Sequence, residues 1–112
     1  MSVNARPEMS HLYADIPALL PEELVTILAE SKDVRIERIV SKGHSSPENF
    51  WYDQATTEFV VLIQGEAQLQ FEGERDTIVM GVGDYLIIPP HTRHKILRTK
   101  PDAETIWLTV HF

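Results

Sequence analysis

From residue 34 onward the chain is broken into short apolar or alternating runs, each closed by a turn signal, and none is long enough for an ordinary helix. Residues 34–40 alternate β-branched with charged side chains, and 41–49, with Gly43, Ser45, Ser46 and Pro47, read as a loop. Residues 58–64 form the next run, and Ala67, Leu69 and Phe71 alternate with Gln68 and Gln70 in another. Glu72-Gly73-Glu74 turns the chain into 77–80. Gly81 to Asp84 turns it into 85–88, which Pro89-Pro90 stops. Residues 94–99 and 105–112 follow, separated by Lys100-Pro101-Asp102. About seven short strands at regular spacing predict an all-β sandwich or barrel. There is no internal repeat, low-complexity stretch or linker, and 112 residues suit one domain.

The chain before residue 34 reads differently. Residues 1–12 show no periodicity and predict a loose arm. Pro21 suits a first helical position, Glu22 and Glu23 oppose the helix dipole, and Leu24, Ile27 and Leu28 make an i, i+3, i+4 stripe. These signals predict a short helix over 21–30. The expected organisation is an arm and helix over 1–33, with the helix packed outside a barrel over 34–112.

In Phe59-Val60-Val61-Leu62-Ile63 both strand faces are apolar, and Leu86-Ile87-Ile88 repeats the pattern. A face open to water would alternate. The outer side is therefore expected to be covered by the helix, by the edge of the second sheet or by another subunit, and a homodimer is expected.

Composition removes several function classes. Ten Lys and Arg against 17 Asp and Glu give a formal charge of −7, which disfavours nucleic acid and anionic membranes. The run 59–63 is the longest uncharged apolar stretch, far short of a membrane span of about 20 residues. Residues 1–12 carry Arg6, Glu8 and His11 and do not read as a signal peptide, so a cytoplasmic location is expected. With no cysteine there is no thiolate zinc site and no cysteine nucleophile, leaving His and oxygen donors for any metal.

Candidate chemistry gathers around two stretches. Glu58 opens an apolar strand, where a carboxylate is costly unless paired or metal-bound. His91 and His94 follow Pro89-Pro90, while Tyr52, Asp53 and Gln54 supply oxygen donors upstream. Imidazole with carboxylate oxygen suits Mn, Fe(II), Ni or Zn. On the last strand, Ile106, Leu108, Val110 and Phe112 look like the better core face, which puts His111 outside or at an interface. His44 reads as a loop residue. Glu72, Glu74 and Asp76 read as a solvated hairpin end. Arg93 and Lys95 are expected in solvent, with Arg93 able to attract an anionic substrate at the rim, and Trp51 and Tyr52 are expected to pack near the mouth of a pocket.

These stretches resemble the two motifs of the cupin family. Glu58, six residues and Gly65 match the second half of G-x5-H-x-H-x3,4-E-x6-G, and Gly83, five residues, Pro89 and then His94 match G-x5-P-x-G-x2-H-x3-N. The resemblance covers about residues 34–112 and is similar to small single-domain bacterial cupins. It implies a jelly-roll barrel, frequently dimeric, with a small-molecule pocket. The family's metal ligands are two His and a Glu from the first motif and one His from the second. Here the Glu is Glu58 and the second-motif His is His94. The H-x-H positions hold Tyr52 and Gln54, or Trp51 and Asp53, depending on the spacer, while His91 stands at a motif glycine and Arg98 at the motif asparagine.

The resemblance therefore implies a divalent-metal site of Glu58 and His94 completed by Gln54, Asp53 or His91. The alternative is a metal-free pocket in which Glu58 and His94 form a hydrogen-bonded pair, with His94 protonated to bind an anion. Two functions follow: a metal-dependent enzyme acting on a small anionic or enediol-type substrate, or a non-catalytic module binding a small metabolite.

Overall fold

The computed structural model describes residues 6–112; the first five residues of the expected arm lie outside the described residues. Eight strands run in order: β1 (Leu24–Glu30), β2 (Arg35–Ser41), β3 (Glu58–Gln64), β4 (Ala67–Phe71), β5 (Ile78–Met80), β6 (Tyr85–Ile88), β7 (His94–Thr99) and β8 (Thr105–His111). They form a five-stranded sheet, β1-β2-β8-β3-β6, and a three-stranded sheet, β5-β4-β7. Every strand pairing is antiparallel. Val60 and Leu62 from β3, Ala67 and Leu69 from β4, Met80, Ile88 and Trp107 build the core between the two sheets.

The expected helix over 21–30 is a strand. Residues 24–30 pair with β2, from Leu24 opposite Val40 to Glu30 opposite Arg35, with a bulge between Ile27 and Ala29. An apolar stripe of three residues is too short to fix a helical period. The β-branched run Val25-Thr26-Ile27 fits a pleated strand, and pairing with β2 satisfies backbone groups that a helix there would leave at an open edge.

A turn at residues 12–15 is tied to the outer face of the five-stranded sheet. Arg38, 4% exposed, donates through Nη1 to the carbonyls of Leu12 (3.0 Å) and Ala14 (2.6 Å), and through Nη2 to Thr26 Oγ1 (3.2 Å). Farther along the sheet this cover ends: Tyr85 and Ile87 on β6 are about 60% exposed.

The core face of β8 is opposite to the one the sequence suggested. Trp107, Thr109 and His111 are buried, while of the expected face Ile106 is buried, Leu108 and Val110 are half-buried and Phe112 is exposed. Thr109 and His111 are buried here because polar partners meet them inside the barrel.

Candidate functional site

The register of the large sheet places the polar groups. Arg35 on β2 is opposite His111 on β8, His111 is opposite Glu58 on β3, and Glu58 is opposite Ile88 on β6. In strands, residues opposite one another share a face, so this row points into the barrel. Two register steps on, Glu37, Thr109 and Val60 form a second inward row. From the small sheet, His94 and Ile96 on β7 and Leu69 on β4 close the other side. The result is a cavity of about 230 Å3, lined also by Tyr52, Gln54 and Trp107.

Local structure explains why motif positions hold these residues. Gly65 ends β3 with φ of +91°, and a Cβ there would come within 2.7 Å of Thr105 Cα, so only glycine lets β8 start beside it. Tyr52 makes an isolated bridge to His94: its N–H donates to the His94 carbonyl at 2.7 Å, and the His94 N–H donates back at 3.1 Å. The Tyr52 ring stacks on the His94 imidazole with centroids 5.5 Å apart, and Phe71 lies 5.6 Å away.

Glu58 and His94 are brought together, 3.7 Å between Oε1 and Nε2, with Glu58 7% and His94 5% exposed. That separation is too long for a hydrogen bond. Burial pushes the Glu58 carboxyl up to about 7, with Glu37 adding to the rise and Arg35 opposing it. Burial also pushes the His94 imidazole down, opposed by its hydrogen bond to the Thr92 carbonyl. Both groups therefore lean to their neutral forms, and the protonated His94 expected for a metal-free pair is not what this environment favours. His94 Nδ1 lies 2.8 Å from the Thr92 carbonyl, which can only accept, so Nδ1 carries the hydrogen and Nε2 keeps a lone pair. Glu58 Oε1 is buried with no hydrogen-bond partner among the described residues.

Beside it stands a cluster that the sequence reading missed. His111 Nε2 lies 3.2 Å from Glu37 Oε1, Arg35 Nε donates to Glu37 Oε2 at 3.0 Å, and Thr109 Oγ1 donates to Glu37 Oε1 at 3.4 Å. The signal was present in the alternation of Arg35 and Glu37 with Ile36 and Arg38, matched by Thr109 and His111 on the paired strand. Burial lowers His111 against the opposing pull of Glu37. Glu23, at the mouth, accepts from Ser41 Oγ at 2.6 Å.

The other expected ligands divide. Gln54 lines the cavity, whereas Asp53 and His91 do not; they pair with each other at 2.8 Å, with both side chains largely in solvent. His91 has φ of +58° at the position where the motif carries glycine, and its N–H donates to the Gln54 carbonyl. Arg93 is bound to Glu72 at 2.9 Å and lies over Trp51, outside the cavity lining.

The 3.7 Å gap would let one ion touch Glu58 and His94, since such bonds are about 2.0–2.2 Å long. A held transition metal needs at least three protein ligands. Among the described residues no group of three His, Asp or Glu is placed to hold an ion. A third ligand would have to come from a neutral oxygen donor of the lining such as Gln54.

Comparison with known proteins agrees with the architecture. A family profile described as "Cupin domain" matches residues 37–111. The crystal structure of a "putative mannose-6-phosphate isomerase" from Ralstonia eutropha JMP134 is 41% identical, with a TM-score of 0.90, covering 94% of this chain and 97% of that one. A cupin superfamily protein from Desulfitobacterium hafniense DCB-2 is 23% identical, with a TM-score of 0.74 and coverage of 97% and 94%. An RmlC-like cupin family protein with a double-stranded β-helix fold from Methanocaldococcus jannaschii is 17% identical, with a TM-score of 0.66 and coverage of 87% and 85%. No functionally curated protein matches the sequence.

Proposed function

Because the chain belongs to the cupin family, we propose that its barrel is a binding site for a small organic molecule, held directly by Glu58 and His94 rather than through a resident metal. The observation that carries this reading is Glu58 Oε1, buried and without a partner among the described residues, beside a cavity lined by both apolar and polar side chains. An unsatisfied buried carboxyl costs about 1–3 kcal/mol or more, and a ligand donor that meets it recovers that cost. The cavity combines an apolar wall with a few convergent polar groups, the usual composition of a small-molecule site.

The Ralstonia relative's description suggests a sugar phosphate as a second reading. The charges of this cavity argue against it. Its lining carries Glu23, Glu37 and Glu58 against a single arginine, and Arg35 is already bound to Glu37. A phosphate would enter a site rich in carboxyl groups with no free cation to receive it.

The test is a thermal-shift screen of small metabolites in the presence of EDTA, repeated on Glu58→Gln and His94→Ala. The reading expects compounds that stabilise the parent protein and lose the effect in both variants. Compounds that stabilise only after Mn, Fe, Zn or Ni is restored would return the site to metal chemistry.

A further inference from the structure

We propose that the cavity selects a small organic ammonium ion, its nitrogen donating to the Glu58 carboxyl and to His94 Nε2 while its apolar part lies on Val60, Ile88 and Trp107. The inference rests on the ligand-binding reading above and adds to it the charge and the donor count of the ligand.

With Glu58 ionised, two acceptors face one another. Glu58 Oε1 has no partner, and His94 Nε2 keeps its lone pair because Nδ1 donates to Thr92. Their separation of 3.7 Å is too wide for a direct hydrogen bond but suits a group between them that donates to both. An ammonium carries three hydrogens and no acceptor. A hydroxyl brings one hydrogen and leaves one of the two acceptors unmet. A carboxylate or phosphate brings acceptors only.

Charge favours the same choice. Of the ionisable groups lining the cavity, Glu23, Glu37 and Glu58 are acidic and only Arg35 is a fixed cation, neutralised by Glu37 at 3.0 Å. His94 and His111 are both pushed toward neutrality by burial.

An ammonium binds best to ionised Glu58. The groups facing Glu58 are Arg35 and Glu37 from β2, His111 from β8, His94 from β7 and Tyr52 before β3.

The experiment uses three probes of one shape, cyclohexylmethylamine, cyclohexylmethanol and cyclohexanecarboxylate. They are titrated calorimetrically at pH 8 in EDTA against the parent protein and Glu58→Gln. The expected result is that the amine binds at least tenfold more tightly than the alcohol, that the carboxylate does not bind, and that Glu58→Gln brings amine and alcohol within about threefold. Equal or tighter binding of the alcohol or carboxylate overturns the ammonium assignment while leaving the cavity a ligand site. Failure of all three to bind at millimolar concentration also overturns it, and the metabolite screen then judges the broader reading separately.

Discussion

Glu58 Oε1 and His94 Nε2 face each other across the barrel at 3.7 Å, one from each sheet, and form neither a hydrogen bond nor a true ion pair. Each is buried and each is shifted toward its neutral form. A buried pair arranged only for stability would close the gap or replace the polar atoms with apolar ones. Here the gap opens on a cavity.

The raised Glu58 carboxyl makes stability depend on pH. Between about pH 4.5 and 7 the folded protein holds a proton that the unfolded chain has lost, so this contribution falls as pH rises and is gone above about 7. His94 and His111, both lowered, act oppositely: their contribution falls as pH drops below the ordinary histidine value of 6.5. Glu58→Gln is therefore expected to match the parent near pH 4.5 and exceed its stability by on the order of 2–3 kcal/mol at pH 8. Urea unfolding across this range checks it; a variant less stable than the parent at pH 8 contradicts the burial argument.

His91 occupies the left-handed region, with φ of +58°. Its partner Asp53 is half-exposed, and such an ion pair contributes little. His91→Gly is expected to stabilise the fold by about 0.5–1 kcal/mol, through relief at this backbone position, and to leave ligand affinity unchanged. A loss of ligand binding would instead place His91 in the site.

Arg38 ties residues 12 and 14 to the outer sheet face by two hydrogen bonds to their carbonyls. Arg38→Met is expected to cost about 2 kcal/mol and to expose this segment to limited proteolysis before the barrel unfolds. Unchanged proteolysis would show that the segment is held by other contacts.

The outer face around β6 is free of charge. Phe59 and Val61 pair with Ile87 and Tyr85, and with Val110 and Leu108 on the other side. On an acidic chain of net charge −7, this is where two copies can approach without like-charge repulsion. Light scattering at micromolar concentration is expected to show a dimer, and Ile87→Glu is expected to dissociate it; a monomeric parent protein would contradict this.

Much of the barrel was legible because strand period and turn residues are local signals: residues 58–64 and 85–88 are β3 and β6 as read. The 21–30 segment misled because Pro21, Glu22 and Glu23 give good helix-start chemistry, whereas the pairing that makes it β1 comes from a strand edge that local sequence does not show. Glu58 and His94 were legible from motif spacing. His111 was not, because its burial depends on Glu37, a partner 74 positions away in the chain. Asp53 and His91 were misleading in the opposite way, since proximity to the motif put them near the site in sequence while their side chains meet outside the cavity.

The central claim is that Glu58 and His94 meet an organic ligand directly. Its most direct test is a calorimetric titration, in EDTA, of the strongest compound from the metabolite screen into the parent protein and Glu58→Gln. The account expects one-to-one binding without metal, weakened at least tenfold by the substitution. Binding that appears only when Mn, Fe, Zn or Ni is restored, with stoichiometric metal lost in Glu58→Ala and His94→Ala, would contradict it.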